Sequence, residues 1–210
     1  LLGFYLDGQY YTQGTIPFGL STSPFIFTRV FNVIIAHCRK NGILIYIYID
    51  DILLIHKSKE ELSRNLTFLL NLLKYLDVKV AAEKIVAPCR RIEYLGFIID
   101  TTMNKIDIGQ ERRSKIITCI NNTLMKKVVT GRELSKVAGL CTSVSRAFVH
   151  IKAFMGELFI EEMDYSKYYK MSEEMREDLT TIKNVLLKDS SGTIWRQAKY
   201  STMYVDASNQ

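Results

Sequence analysis

Residues 43–55 read ILIYIYIDDILLI and decide the fold of the first half of the chain. Runs of β-branched and aromatic residues flank Asp50 and Asp51, which predicts a strand, a tight turn that carries the acids, and a second strand. Two ionised carboxylates within an apolar run cost on the order of several kcal/mol unless a partner compensates their charge. No lysine or arginine lies within five residues of either acid, so local ion pairing does not supply that partner.

A divalent cation is the partner that these carboxylates favour. Hard oxygen ligands suit Mg²⁺, which keeps part of its water shell and also binds substrate phosphates. The alternative is an ordinary Asp-Asp turn that joins two strands. The flanking strands and the helix that follows favour the cation, because they hold the tip on rigid elements. Adjacent side chains of an extended strand point to opposite faces, so Asp50 and Asp51 share a cleft only if the turn bends the backbone.

The segment before this hairpin predicts a second hairpin and a helix. Aromatic and polar residues alternate over residues 1–16 around an Asp-Gly pair, which is typical of a β-hairpin with a tight turn. Ser23 is predicted to cap a helix that begins at Pro24 and ends at Asn41. The predicted apolar face of this helix contains Phe27, Val30, Phe31, Ile34 and Ile35.

The segment after the hairpin predicts a capped helix and further strands. Ser58 and Glu61 have the spacing of a capping box, and leucines recur behind them at helical spacing. These leucines are Leu62, Leu66, Leu69, Leu73 and Leu76. Residues 78–82 and 94–99 are predicted to be short strands, so a mixed α+β sheet follows.

The second half of the sequence is mainly helical in pattern. A helix is predicted over residues 111–126, and Thr130 with Glu133 forms a second capping box. The helix behind that box has an apolar face of Leu134, Val137, Cys141, Val144 and Phe148. Ser172 is predicted to cap a last helix with Met175, Leu179, Ile182 and Leu186 on one face. Residues 200–206 predict a strand that ends on an acid.

Length and charge limit the function classes. The chain has 210 residues and a net charge of +6, which excludes a disordered tail or a collagen and suggests an anionic partner. Residues 111–152 hold nine bases and two acids, a local net of +7, whereas the remainder nets −1. Positive charge confined to one helical lobe is the footprint expected for a phosphate backbone, and a solvated helix face is the alternative.

Cysteine usage and hydropathy predict the compartment. Four cysteines are spread through the chain with neither zinc-ligand spacing nor the density of a disulfide framework, which favours thiols in a reducing intracellular compartment, the cytoplasm or nucleus. The aspartates at the centre of the most apolar stretch exclude a membrane span there. Because the chain opens on Leu1 and closes shortly after a strand-like run begins, we expect it to be a segment of a longer polypeptide.

Four motifs in order resemble those of reverse transcriptases, and the similarity extends over nearly the whole chain. Residues 48–51 resemble the Tyr-x-Asp-Asp signature, and residues 13–24 resemble the Leu-Pro-Phe-Gly-Leu-Ser-x-x-Pro segment of that family. Residues 83–84 match its Glu-Lys segment, and residues 94–97 match the hairpin that grips the primer. The best resemblance is to gypsy-like and DIRS-like retroelement enzymes.

The resemblance implies an α+β fold, namely a partial polymerase palm with a mixed or antiparallel sheet and packed helices, then a helical thumb and a short connection. Residues 131–147 are similar to thumb helices, and residues 204–208 look like the first strand of a ribonuclease H domain. The implied domains are a palm at residues 1–106, a thumb at 107–155, a connection at 156–198 and a truncated ribonuclease H start at 199–210.

The resemblance also implies roles for individual residues. Asp50 and Asp51 are the catalytic, metal-binding carboxylates for two Mg²⁺ ions, with Mn²⁺ as a second candidate, and Lys84 protonates the leaving pyrophosphate. The residues implied at the nucleotide and template surface are Pro17, Phe18, Gly19 and Tyr48. Those implied to contact the primer are Tyr94, Leu95 and Gly96, and Asp206 is implied as a ligand of the ribonuclease H metal site. From their chemistry alone, Lys84 is equally an exposed loop lysine, and Asp206 is equally a plain strand-ending acid.

The implied function is RNA-directed DNA polymerase, a nucleotidyltransferase that adds dNTPs to a primer on an RNA or DNA template within a retroelement polyprotein. The family's other metal-binding aspartate and its ribose-excluding aromatic lie upstream of the hairpin that begins this chain. We therefore expect the isolated chain to be inactive and its parent to be active. The alternatives are a non-catalytic nucleic-acid-binding relic and an RNA-dependent RNA polymerase, which usually carries Gly-Asp-Asp where this chain has Ile49 before the acids.

Overall fold

The chain folds as two units, residues 1–89 and 90–210, each with a hydrophobic core of its own. The computed structural model describes residues 3–17, 19–158, 164–188 and 192–194. The predicted α+β class is confirmed, because antiparallel strands and packed helices occur in both units. The predicted boundary after residue 106 falls inside the sheet of the second unit, and the domain assignment stays a prediction.

The first unit alternates hairpins and helices. Its elements are β1 (Gly3–Leu6), β2 (Gln9–Thr12), α1 (Ser23–Lys40), β3 (Leu44–Tyr48), β4 (Asp51–Ile55), α2 (Lys59–Tyr75) and a 3₁₀ turn (Ala82–Lys84). β1 pairs with β2, and β3 pairs with β4, both antiparallel. The hairpin predicted over residues 1–16 is confirmed. Its turn residues Asp7 and Gly8 both have positive φ, at 47° and 82°, as a type I′ turn requires.

Helix α1 begins and packs differently from its prediction. Thr22 occupies the N-cap position without a side-chain cap, and Ser23 is already helical, so the predicted Ser23 cap is wrong. The Ser23 hydroxyl instead donates to the carbonyl of Pro17 at 2.9 Å. Phe31, Ile34 and Ile35 of the predicted face are buried, whereas Val30 is 59% exposed and Cys38 extends the buried stripe. That stripe consists of Phe31, Ile34, Ile35 and Cys38.

Helix α2 has half of its predicted capping box. The Ser58 hydroxyl accepts a hydrogen bond from the backbone N–H of Glu61 at 3.2 Å, as predicted. The Glu61 carboxylate does not return the contact, because it pairs with Arg64 at 2.8 Å. The backbone N–H of Ser58 donates to His56 Nδ1 at 3.0 Å instead. Leu69 and Leu73 of the predicted face are buried against the first core, whereas Leu76 is 45% exposed beyond the end of the helix.

The strand predicted over residues 78–82 is absent, because this segment ends a helix instead. Asp77 has φ of 54°, and Val78 donates its backbone N–H to the carbonyl of Leu73 at 2.9 Å. This 6→1 bond and the bond from Asp77 to Lys74 form a Schellman motif, which places an apolar residue against the helix end. Val78 accordingly packs on the first core rather than in a sheet.

In its described residues, the second unit contains a four-stranded antiparallel sheet and three long helices. Its elements are β5 (Arg91–Tyr94), β6 (Phe97–Asp100), β7 (Lys105–Ile108), α3 (Gln110–Leu124), β8 (Val128–Thr130), α4 (Gly131–Val144), 3₁₀ turns (Val149–Phe154 and Gly156–Leu158), β9 (Tyr168–Lys170), α5 (Glu173–Leu187) and β10 (Gly192–Thr193). The sheet order is β10-β7-β6-β5, and β8 pairs with β9. The strand predicted over residues 94–99 is in fact a hairpin with its turn at Leu95-Gly96.

The predicted caps of the second unit are confirmed. Thr130 and Glu133 form a reciprocal capping box at the start of α4, and the Ser172 hydroxyl accepts from Met175 at the start of α5. The apolar faces predicted behind both caps are buried in one core with α3. Phe148 lies beyond the end of α4 and is still fully buried. The strand predicted over residues 200–206 lies outside the described residues.

The cysteines are free thiols in different surroundings. Cys38 and Cys141 are buried, Cys119 is half-buried, and Cys89 is exposed. Desolvation raises the pKa of the Cys38 thiol, and the same cause raises the pKa of Cys141 to about 12. No helix in the described part of the chain combines the length and the apolar character that a membrane crossing requires.

Glu133→Gln tests the ionised Glu133 carboxylate, which pairs with Lys126 and closes the capping box, through the pH dependence of stability. The Lys126 ammonium, at 2.6 Å, and the Thr130 backbone N–H, at 3.0 Å, hold the pKa of Glu133 below its ordinary value of 4.5. A depressed folded-state pKa stabilises the fold above the unfolded-state pKa and stops doing so as the pH falls through the folded-state value. We therefore expect the wild type to lose its stability advantage over E133Q below about pH 4.5.

Urea denaturation across a pH series measures this difference. The advantage of the wild type should be fully present near neutral pH and close on acidification, and its size should be small because the Glu133 side chain is 39% exposed. Glu157→Gln, at an exposed position, is the charge-matched control. Its free energy of unfolding should change with pH in parallel with that of the wild type. A difference between E133Q and the wild type that stays constant across the pH series would contradict the role of the Glu133 charge.

Candidate active site

The acid-bearing hairpin has the shortest practicable turn. Tyr48 pairs with Asp51 and Ile47 with Ile52, so only Ile49 and Asp50 lie outside the ladder. The predicted strand, turn and strand are therefore confirmed. Asp50 is the second turn residue and Asp51 is the first residue of β4. Because the backbone turns between them, the strict alternation of an extended strand does not separate the two carboxylates.

The turn holds a β-branched residue in the left-handed region. Ile49 has φ of 52°, while Asp50 does not have a positive φ. A positive φ at the first central residue alone is the sign pattern of a type II′ turn, where glycine is preferred. An isoleucine there costs about 1–2 kcal/mol relative to an ordinary conformation. The remainder of the hairpin and its packing must offset this strain.

That packing comes from the two helices of the first unit. Ile45 is fully buried and Ile43 is 4% exposed, within the core that contains Leu69 and Leu73 of α2 and the buried stripe of α1. Arg39 of α1 donates from Nη2 to the carbonyl of Ile45 at 3.0 Å. The sequence did not identify Arg39, because its partner is a backbone atom that no residue pattern marks. The opposite face of β3 is exposed and carries Leu44, Tyr46 and Tyr48.

The carboxylates at the tip are exposed and suited to a hard cation. Both Asp50 and Asp51 are exposed, so water compensates their charge, and the burial cost expected from the sequence does not arise. Within the described residues Asp50 has no ion-pair partner. No group of three His, Cys, Asp or Glu side chains in the described part of the chain is placed to hold a metal ion together. The tip thus offers two oxygen-donor side chains, which fits a cation that completes its shell with water and substrate phosphates.

The proposed nucleotide surface is only partly described. Pro17 and Gly19 lie in the loop between β2 and α1, and Phe18 between them lies outside the described residues. The carbonyl of Pro17 is held by the Ser23 hydroxyl at the start of α1. Gly19 has φ of 82° and open space where a Cβ would project, so its requirement is conformational.

The lysine assigned as proton donor is accessible on the surface of the first unit. Lys84 ends the 3₁₀ turn and is exposed. No hydrogen bond or ion pair joins it to Asp50 or Asp51 among the described residues. Asp206, assigned to a second metal site, lies outside the described residues.

The residues assigned to the primer form a second tight hairpin, within the second unit. Tyr94 pairs with Phe97 across the β5–β6 turn. Leu95 and Gly96 both have positive φ, at 52° and 74°, which is the type I′ pattern. Leu95 is 41% exposed at the tip of this turn. The three assigned residues are therefore brought together at one hairpin end.

Internal contacts reduce the number of bases in residues 111–152 that are available to a ligand. Two of the nine bases in residues 111–152 donate to backbone carbonyls, and both acids of this segment are paired with lysines. An open groove of about 500 Å³ includes Lys115, Lys126 and Lys136 in its lining. The five bases that remain exposed without an ion pair in the described part of the chain are Lys127, Arg132, Lys136, Arg146 and Lys152.

Ile49→Gly tests the strain at the acid-bearing turn. Glycine adopts positive φ without the Cβ penalty, so we expect the free energy of unfolding to rise by about 0.5–1 kcal/mol. Ile55→Gly is the matched control, because Ile55 is 41% exposed against 42% for Ile49 and lies in a regular strand. The control should lower stability by a similar amount. Urea denaturation measures both, and a loss of stability in I49G would contradict the strain.

Comparisons with known proteins relate this chain to reverse transcriptases and retroelement polyproteins. Residues 3–99 match the family described as reverse transcriptase (RNA-dependent DNA polymerase). The chain is 28% identical over 104 residues to the retrovirus-related Pol polyprotein from transposon gypsy of Drosophila melanogaster, covering 50% of this chain and 10% of that polyprotein. It is 29% identical over 144 residues to the corresponding polyprotein from transposon opus of the same species, covering 69% and 13%. The chain thus spans about a tenth of the length of these relatives.

Solved structures show the same fold. The foamy viral protease-reverse transcriptase in complex with double-stranded DNA superposes with a TM-score of 0.66 and 23% identity, covering 91% of this chain and 31% of that one. The foamy viral enzyme in complex with an RNA/DNA hybrid superposes with a TM-score of 0.60 and 22% identity. This match covers 91% of this chain and 24% of that one. These likenesses confirm the predicted polymerase fold. Residues 3–99 therefore resemble the reverse transcriptase family in sequence, and the chain resembles retroelement Pol polyproteins over 50–69% of its length.

Proposed function

We propose that the parent protein of this chain is an RNA-directed DNA polymerase in which Asp50 and Asp51 are the metal-binding catalytic carboxylates. The observation that carries the proposal is the pair of exposed carboxylates at the tip of a two-residue turn, within the segment that matches the family. The packed strands and helices beneath the turn fix the acids in place, as nucleotidyl transfer requires.

Reverse transcriptases use divalent metal ions, and we propose Mg²⁺ for this one, with Mn²⁺ as the second candidate. When bound, two such ions would lower the pKa of the primer 3′ hydroxyl and offset charge on the triphosphate. Asp50 and Asp51 would supply two of the oxygen ligands. The further aspartate that the resemblance places upstream would supply another, which accounts for the expected inactivity of the isolated chain.

The roles of the surrounding residues follow the same proposal. Tyr48 precedes the acids on an exposed strand face and would contact the nucleotide or template together with Pro17, Phe18 and Gly19. Lys84 would donate a proton to the leaving pyrophosphate. Its exposure leaves the ammonium accessible to a ligand, and no described contact with the acids holds it in advance.

Tyr94, Leu95 and Gly96 would contact the primer, and the exposed bases of residues 111–152 would contact phosphates of the duplex. Support comes from the foamy viral enzymes of like fold, which are in complex with double-stranded DNA and with an RNA/DNA hybrid. The proposed domains are a palm at residues 1–106, a thumb at 107–155, a connection at 156–198 and the start of a ribonuclease H domain at 199–210. Asp206 is proposed as a metal ligand of that last domain. We propose further that the substrate is a dNTP and that the chain is part of a retroelement polyprotein. We propose that it acts inside the cell, in the cytoplasm or nucleus.

Adding the upstream coding segment tests this function. The extended protein should incorporate dNTPs on a primed RNA template with Mg²⁺, and the 210-residue chain alone should not. Supplying ribonucleotides in place of dNTPs distinguishes a DNA polymerase from an RNA polymerase. Salt-sensitive binding of primer-template without turnover by the extended protein would overturn the proposal in favour of a binding relic.

A further inference from the structure

Arg112 joins the primer-assigned turn to two helices of the second unit. It is the third residue of α3, and its Nη1 donates to the carbonyl of Gly96 at 2.9 Å. Its Nη2 donates to the carbonyl of Ser143, near the end of α4, at 3.3 Å. Its Cζ lies 5.4 Å from the ring centroid of Phe97, in cation–π contact. One guanidinium therefore contacts the turn, the strand after it and a helix end.

Gly96 is shaped to this contact. Its φ of 74° favours glycine, and a Cβ added there would lie 2.5 Å from Nη1 of Arg112. A side chain at residue 96 would therefore displace the guanidinium from its present position. At the other end of the fork, Ser143 lies in the last turn of α4, whose carbonyls lack partners within the helix. The planar guanidinium reaches both carbonyls at once, which a lysine ammonium on a flexible stem does not reproduce.

We propose that Arg112 is a positioning residue for the primer-contacting turn, holding Leu95 and Gly96 in a fixed place relative to α3 and α4. The inference rests on the proposed function, because that function assigns the turn to the primer. Arg112 is half-buried and its donors are directed to carbonyls. Its contribution is therefore geometric, whereas the exposed arginines of the same lobe are available to phosphates.

Arg176 provides a matched control within the same unit. It also donates to two backbone carbonyls, those of Leu124 and Lys126, each at 2.6 Å. These carbonyls lie at the end of α3 and not in the β5–β6 hairpin. Arg112→Lys and Arg176→Lys keep the charge and each remove one two-carbonyl contact. They differ in whether the turn is one of the partners.

Amide hydrogen exchange in the 210-residue chain tests the contact itself. We expect the amides of residues 94–97 to exchange about tenfold faster in R112K than in the wild type, and to be unchanged in R176K. Thermal unfolding of both variants establishes that the unit is folded during the measurement. Unchanged exchange at the turn in R112K, or equal acceleration in R176K, would overturn the inference.

Primer extension by the upstream-extended polymerase tests the role. R112K should lower kcat about tenfold with the KM for dNTP within about twofold, since a displaced primer end slows chemistry without removing a nucleotide contact. R176K should leave both constants unchanged. Wild-type kinetics in R112K would overturn the inference and leave the polymerase function standing. A wild-type enzyme without activity would overturn the function, and the primer assignment of this turn with it.

Discussion

Asp50→Asn in the upstream-extended polymerase is expected to lower kcat for dNTP incorporation by about 10³-fold or more, equivalent to about 4 kcal/mol of barrier. The physical reason is the loss of the anionic oxygen ligand that the proposed function assigns to the tip of the β3–β4 hairpin. Asparagine keeps the shape of the side chain, and Asp50 is exposed, so the free energy of unfolding should change by less than about 0.5 kcal/mol. Single-turnover incorporation on a primed RNA template measures the effect.

Asp7→Asn is the control for this substitution. Asp7 is also an exposed acid in a two-residue hairpin turn, and its positive φ of 47° is one that asparagine tolerates well. This variant should keep wild-type incorporation. If D50N retained more than about a tenth of the activity, the assignment of Asp50 as a metal ligand would be wrong.

Phe148→Ala is expected to lower the stability of the second unit by about 3–5 kcal/mol, measured by urea denaturation. Phe148 is fully buried, and the buried Arg113 guanidinium lies 5.1 Å from its ring centroid. Truncation opens a cavity and removes this cation–π contact from an arginine that also pairs with Asp107. Few sites in the unit combine such volume with such burial.

The neighbouring Val149→Ala provides the comparison. Val149 is 44% exposed at the start of a 3₁₀ turn, so its truncation should cost less than about 1 kcal/mol. A loss of comparable size in both variants would show that the segment as a whole, and not the buried ring, determines stability. A loss below about 1 kcal/mol in F148A would contradict the packing of this core.

The sequence predicted those features that local chemistry determines. The acid-bearing hairpin follows from β-branched runs around a polar pair, and the Thr130 capping box follows from one residue spacing. Errors arose where a residue had two local uses. Val78 is β-branched, as is typical of a strand, but it packs as the apolar residue that closes the end of α2. Ser23 precedes a proline, as an N-cap residue often does, but its hydroxyl donates to the carbonyl of Pro17 in the preceding loop.

The position of the two acids at a hairpin tip was predictable to a similar extent, whereas their roles stay a prediction. Two acids without a nearby base mark the tip, and the resemblance supplies the motifs on either side. The arginines that hold the two hairpins were not predictable. Arg39 and Arg112 act on backbone carbonyls, and Arg112 lies 16 and 31 residues from its two partners. Contacts of that kind depend on the tertiary fold and leave no residue pattern.

The exposed thiol at Cys89 gives this chain a chemical handle at the last residue of its first unit. Alkylating reagents attack the thiolate, and burial suppresses thiolate formation at Cys38 and Cys141. A maleimide dye at limiting concentration would consequently attach first at Cys89. In the sequence this position follows the acid-bearing segment and precedes the primer-assigned turn, so a single dye would label the last residue of the first unit.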